Sequence, residues 1–278
     1  MLWPMSPLQW HFPTTLEEAA ELVTREGVAP HGGGTGLLRG SLKGLKGLVA
    51  LHRLPLKTFE YTPQQVRLGA LLTFSETVRA LRLHEPRGLL VQALGASSTE
   101  LLRNRITLGG SVAMAPPWSD LLAPLLALQA EVVLRGGISE TWPLARYLAT
   151  PEIHRHTLIT EIRYRPYAGR AFFYRAVRTR NDLPAFTLAL LLRLQEGRIR
   201  DPRVVLFGTR QKGTVAHEVM EALEGQPVDT VEPDRVAARL QVDFHPHRRM
   251  GSPEYQVHLA RTALARGLRQ LLEITHEG

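Results

Sequence analysis

Apolar positions fall into helical and strand periods along the whole chain. Thr15 followed by Glu18 forms a capping box, and Leu16, Ala19, Ala20, Leu22 and Val23 then recur at helical spacing. Gly27 stops that helix. Val28-Ala29-Pro30 is a short extended piece that feeds the run His31-Gly32-Gly33-Gly34-Thr35-Gly36-Leu37-Leu38. Gly47 to Leu51 and Gln65 to Leu71 read as strands, Thr73 to Leu83 as a helix capped by Thr73 with Glu76, and Pro86 to Leu94 as a further short helix. A second glycine loop at 107–110 precedes a short apolar piece, Val112-Ala113, before Pro116-Pro117 breaks the chain. Asp120 is then placed to cap a helix over Leu121 to Gln129. Glu131 to Leu134 and Leu158 to Tyr164 read as strands.

The second half has a different rhythm. Ala171 to Val177, Ala185 to Leu194 and Val204 to Gly208 are β-rich, with a turn at Glu196-Gly197; helices are expected over Val215 to Leu223 and from Pro253 to Ile274. The expectation is an α+β chain, because no regular strand–helix–strand alternation runs through it. Residues 1–168 form one part, itself two pieces of about 1–55 and 56–168. Residues 169–278 form a small α+β domain, a three-stranded antiparallel sheet with covering helices.

Composition narrows the function. The 278 residues are 44% hydrophobic, enough for a sizeable core. No apolar run reaches the roughly 18–20 residues of a membrane span. Met1 to Phe12 has no basic region ahead of an apolar stretch, so no signal peptide is expected and the expected location is the cytoplasm. With no cysteine, the chain has no disulfide, no thiolate nucleophile and no cysteine-ligated cluster of its own. The net charge is +8, and lysine stands only at 43, 46, 57 and 212, so the remaining 30 basic residues are arginine. They are scattered rather than massed, with no aromatic-interleaved motif. That favours ordinary surface composition or an acidic partner over a nucleic-acid groove.

The candidate chemistry lies in the two glycine runs. Glycine costs about 0.5–1 kcal/mol in an element interior, so such runs mark sharp turns or close approach to a ligand. The first is neither a dinucleotide fingerprint nor a P-loop by spacing. It can present successive N–H groups as an anion nest, with the Thr35 hydroxyl beside them. The second, Arg103-Asn104-Arg105-Ile106-Thr107-Leu108-Gly109-Gly110-Ser111, adds Asn104 and Thr107 as hydrogen-bonding side chains. The two runs suggest one task, holding a pyrophosphate between them. Asp120 suits ribose or ribityl hydroxyls, or a helix cap. His154/His156 and His245/His247 lack the further ligands a metal site needs, and no hydrolase motif is present.

Together these segments resemble the flavin-binding medium subunit of molybdenum hydroxylases, the group of aerobic carbon monoxide dehydrogenase and xanthine dehydrogenase. The family's first loop, Ala-Gly-Gly-Thr-Asp-Leu-Leu, is matched by Gly32 to Leu38. Its second, Ile-Arg-Asn-x-x-Thr-Ile-Gly-Gly-Asn-Leu-Ala-Asn-Ala-Ser-Pro-x-x-Asp, is matched in register by Arg103, Asn104, Thr107, Gly109, Gly110, Ala113, Ala115, Pro117 and Asp120. Tyr174-Arg175, Asp182-Leu183-Pro184 and Arg249-Met250-Gly251-Ser252 through Tyr255 match C-terminal elements. Departures are Gly36 for aspartate, Ser111 and Met114 for asparagines, Pro116 for serine, and Trp118 for a small residue.

The resemblance implies a two-subdomain FAD-binding fold of the vanillyl-alcohol-oxidase (PCMH) type. It implies FAD as cofactor, with Gly32, Gly33, Gly34, Thr35 and Gly36 on one side of the pyrophosphate and Asn104, Thr107, Gly109, Gly110 and Ser111 on the other. It places Asp120 near nucleotide hydroxyls, and Leu158 and Arg175 beside the flavin ring. It implies a hetero-oligomer in which a molybdopterin-binding large subunit does the substrate chemistry. A 2Fe-2S small subunit then passes electrons to FAD, and FAD to an external acceptor. The alternatives are an FAD-less scaffold subunit of the same complex and a basic nucleic-acid-binding protein.

Overall fold

The structure is a computed structural model that describes residues 8–37, 44–247 and 250–273. Leu38, Lys43, Arg249, Ile274 and the first seven residues, all used above, lie outside them. In chain order the elements are β1 (Gln9–His11), α1 (Leu16–Val23), β2 (Val28–His31), β3 (Gly47–Ala50), β4 (Phe59–Tyr61), β5 (Val66–Gly69), α2 (Phe74–Leu81) and α3 (Leu89–Ala96). Next come α4 (Glu100–Arg103), α5 (Leu108–Met114), α6 (Leu122–Ala127), β6 (Glu131–Gly136), β7 (Thr141–Pro143), α7 (Leu144–Ala149) and β8 (Thr157–Tyr164). The chain ends with β9 (Arg170–Arg175), β10 (Thr187–Gln195), β11 (Arg198–Thr209), β12 (Lys212–Val215), α8 (His217–Leu223), α9 (Pro233–Ala238) and α10 (Pro253–Glu273). This mixture of helices and strands is the expected α+β class. The chain forms two compact units: residues 1–77, 100–114 and 129–166, and residues 78–99, 115–128 and 167–278.

The first unit holds a three-stranded parallel sheet, order β1-β3-β2, and a five-stranded antiparallel sheet, order β4-β5-β8-β6-β7. The capping box starts α1 as expected: Glu18 N donates to Thr15 Oγ1 at 3.1 Å. The helix buries Ala19, Leu22 and Val23 in one apolar cluster with Val49, Leu51, Leu54, Leu71 and Leu158. Each Leu or Val side chain there contributes about 1.5–3 kcal/mol on burial. The strands β1, β4 and β7 went unread because three residues are too few to show a period.

The second unit is built on a four-stranded antiparallel sheet, order β12-β11-β10-β9, not the three strands expected. The extra strand is Lys212–Val215, a short edge strand whose Lys-Gly-Thr start carries no apolar alternation. The expected helix from Val215 accordingly begins at His217. Glu196 and Gly197 both have positive φ, 51° and 69°, and make the tight β10–β11 turn. The stretch Leu188 to Leu192 of β10 is apolar without a break because both faces are covered. Leu188, Leu190 and Leu192 join a core with Val204, Phe244, Leu264 and Leu268, while Ala189 and Leu191 are also buried, on the alternate face. On α10, Ala260, Leu264, Leu268 and Leu271 line one side, and a Cβ on Gly267 would come within 2.5 Å of the Phe172 ring.

The largest departure from the sequence reading is α5. The second glycine run is not a loop but the first turn of this helix. The cost of glycine there is offset by tertiary contact. Leu108 N donates to Leu72 O at 2.9 Å and Gly109 N to Ala70 O at 2.8 Å. A Cβ on Gly109 would lie 2.7 Å from Ala70 Cβ.

Candidate functional site

The first glycine run follows the C-terminal end of β2, a parallel strand, where ligand-binding loops of such sheets gather. It lies directly on the segment 105–114. A Cβ on Gly32 would sit 3.1 Å from Leu71 Cδ2 and 3.2 Å from Thr107 Oγ1. On Gly33 it would sit 1.7 Å from the Arg105 carbonyl oxygen, and on Gly36 it would sit 2.9 Å from Met114 Cγ. Gly34 has φ +75°, and its Cβ would meet His31 Nε2 at 2.9 Å. The two runs are therefore brought together, and these glycines are what lets them touch. Among the described residues, the amides of Gly32, Gly33 and Gly34 donate to no protein acceptor. Together with the half-buried Thr35 they form a cradle of the kind an anionic diphosphate needs, so the residues present fit a dinucleotide.

The second run plays a different part. Thr107 caps α5: its Oγ1 accepts from Gly110 N at 3.3 Å and its carbonyl from Ser111 N at 3.0 Å. With Leu108 and Gly109 bonded to Leu72 and Ala70, the first-turn amides of α5 are already paired within the unit. What this run offers outward is clearance. Gly110 is exposed, and Thr107 Oγ1 at 2.8 Å is the contact its Cβ would meet. Asn104 is exposed after α4, and Ser111 is half-buried on α5.

Arg105 and His31 were not singled out by sequence reasoning. Arg105 Nη2 donates to the Gly33 carbonyl at 3.2 Å, across 72 residues of chain. His31 packs edge-on to Trp10 with ring centroids 5.1 Å apart. Burial pushes the His31 imidazole below its usual range, and the charges of Arg105 and His52 push the same way. The available signal was position alone: each is a cationic residue type directly inside or beside a glycine run.

In the second unit, Asp120 and Arg175 form a buried ion pair. Arg175 Nε donates to Asp120 Oδ1 at 2.6 Å, with side chains only 8% and 5% exposed. The same guanidinium donates to the carbonyls of Ala96, Arg180 and Asp182 at 3.0–3.1 Å. Burial raises the Asp120 carboxyl, and Arg175, with a hydrogen bond from Ser97, opposes that rise. The capping role expected of Asp120 is not what the structure shows. The helix runs Leu122–Ala127, Leu121 occupies its cap position, and no side chain caps it. Asp120 was drawn off by a charged partner that outcompetes a cap. Leu158, on β8, is 2% exposed, and its side chain is part of the apolar cluster around α1. Among the described residues no group of three His, Cys, Asp or Glu gathers into a metal site. His154 is instead stacked on Tyr147 at 4.1 Å.

Residues 6–164 match the family described as the FAD binding domain in molybdopterin dehydrogenase, and residues 171–271 the CO dehydrogenase flavoprotein C-terminal domain. The chain is 30% identical over 232 residues to YgfM of Escherichia coli K12, an uncharacterized protein, covering 80% of this chain and 82% of that one. It is 23% identical over 186 residues to the glyceraldehyde dehydrogenase medium chain of Sulfolobus acidocaldarius, covering 65% and 66%. Among solved structures, quinoline 2-oxidoreductase from Pseudomonas putida 86 superposes with TM-score 0.88 at 18% identity, over 98% of this chain and 99% of that one. Carbon monoxide dehydrogenase from Hydrogenophaga pseudoflava, in a form lacking the Mo-pyranopterin moiety, superposes with TM-score 0.88 at 21% identity, over 96% and 98%. These two show the same fold.

Proposed function

Because the chain belongs to the family of FAD-binding medium subunits of molybdenum hydroxylase-type enzymes, we propose that it is the electron relay of such a complex. In this reading it takes electrons from a partner's iron–sulfur clusters and delivers them to an external acceptor. FAD, when bound, supplies the ability to accept and release two electrons in separate steps. The amides of Gly32, Gly33 and Gly34 and the Thr35 hydroxyl bind its diphosphate. Thr107 orients the facing segment, Gly36 and Gly109 permit close packing, and Gly110 keeps the mouth clear. Asn104 and Ser111 hydrogen-bond at the rim. Within the second unit Asp120 and Arg175 fix the ends of α3 and β9 and the 180–182 loop, and within the first Leu158 seats α1. We divide the chain into an FAD-binding part, 1–168, and a C-terminal part, 169–278. With no cysteine in the chain, the 2Fe-2S clusters sit on a small partner subunit and the molybdopterin on a large one.

The observation that carries this reading is the contact of two glycine runs around amides that, among the described residues, no protein group accepts from. The test is flavin retention. The purified chain is yellow, and Gly110→Val loses the flavin; because a Cβ there comes within 2.8 Å of Thr107 Oγ1, circular dichroism checks that the variant remains folded. A Gly110→Val protein with full flavin content sinks the assignment. A wild-type chain that stays colourless after incubation with FAD favours the FAD-less scaffold instead.

A further inference from the structure

We infer that Arg105 is a positioning residue for the dinucleotide: it locks the Gly33–Gly34 peptide in the orientation that turns the Gly34 N–H away from Arg105 and toward the diphosphate. This rests on the functional reading above and goes beyond it, because position 105 is an unassigned x in the family's Arg-Asn-x-x-Thr pattern.

A trans peptide is planar, and its C=O and N–H point in opposite directions. Whatever holds the Gly33 oxygen on one side therefore aims the Gly34 N–H to the other. Arg105 holds that oxygen, with Nη2 donating to it at 3.2 Å. It also holds the Gly33 Cα, since a Cβ there would be only 1.7 Å from the Arg105 carbonyl oxygen. The clamp itself is anchored, because Arg105 N donates to Leu102 O at 2.9 Å.

The peptide needs holding because it lies between two glycines. Gly34 has φ +75°. Rotating the peptide plane by about half a turn carries φ to the negative side, which glycine accepts as readily. The flipped state would present the Gly33 carbonyl oxygen to an anion and repel it. The sequence that makes the nest possible thus also makes it bistable, and the Arg105 hydrogen bond decides which state is populated. A cation on the carbonyl also polarises the peptide and makes its N–H a stronger donor.

The test uses the full chain stripped of flavin. Wild type, Arg105→Lys and Arg105→Gln are titrated with FAD by flavin fluorescence and with ADP by calorimetry. Arg105→Gln weakens both ligands about tenfold, the scale of one charge-assisted hydrogen bond. Arg105→Lys, which keeps a cationic donor, recovers most of the loss, and all three proteins melt alike. In 15N–1H spectra the Gly34 amide shifts on ADP addition in wild type and not in Arg105→Gln. Equal dissociation constants for wild type and Arg105→Gln overturn the inference while leaving the functional reading intact. So does an equal loss in both variants accompanied by a lower melting temperature. A wild-type chain that binds neither FAD nor ADP overturns the functional reading first, and this inference with it.

Discussion

At the scale of single residues, the same residue type does different work depending on what lies opposite it. Gly109 and Gly110 are neighbours, yet one is buried against Ala70 with no room for a side chain and the other is exposed, with Thr107 Oγ1 the contact a Cβ would meet. Asp120 shows the same dependence. In sequence it precedes an apolar helix and reads as a cap; in the structure it is the buried partner of Arg175. The pair was costly to desolvate, and breaking it from the arginine side leaves a buried carboxylate without its cation. Arg175→Met is therefore expected to lose about 3–5 kcal/mol of stability. It also releases the carbonyls of Ala96, Arg180 and Asp182. Asp120→Asn is expected to lose less, because the guanidinium keeps those three acceptors. Urea midpoints of the two variants check this, and equal losses would show that the three carbonyl contacts add nothing beyond the ion pair.

At the scale of elements, the local start signals were legible and the cross-strand ones were not. Thr15 with Glu18 and Thr73 with Glu76 both form capping hydrogen bonds, as their spacing announced. Glu196-Gly197 turns β10 into β11. By contrast, nothing in the sequence pairs β5 with β8, where Arg67 and Arg163 both donate to Glu161. Burial by itself would raise the Glu161 carboxyl, but the hydrogen bonds from the two arginines outweigh it and hold the group below the usual glutamate range. A depressed carboxylate stabilises the fold fully above its unfolded value, about 4.3. That contribution is lost as pH falls through the lower folded value. Glu161→Gln should therefore be less stable than wild type near neutrality, with the gap closing as pH drops below the carboxylate range. Urea midpoints across that range measure it, and a gap constant with pH would rule out the linkage.

At the scale of the whole molecule, composition and family membership set the division of labour. A chain without cysteine cannot ligate a 2Fe-2S cluster through thiolates, so in the proposed relay iron arrives with a partner. Expressed alone, the protein is expected to carry flavin, no iron and no hydroxylase activity; co-expressed with its genomic neighbours it is expected to co-purify with molybdenum and iron. Its charge of +8 would steer acidic partners more than bind them. Tight, salt-sensitive nucleic-acid binding by a flavin-free chain would refute this assembly and revive the nucleic-acid alternative. The sequence by itself determined the α+β class, the capped starts of α1 and α2, the tight hairpin turn and the two glycine runs. Each is written in residues a few positions apart, where spacing and backbone preference act directly. Only the tertiary structure decided that the second run is a helix, that β12 completes the sheet, that Asp120 meets Arg175 across 55 residues and that Arg105 reaches Gly33 across 72. Those outcomes depend on which distant backbone comes within hydrogen-bond reach, and local periodicity carries no information about that.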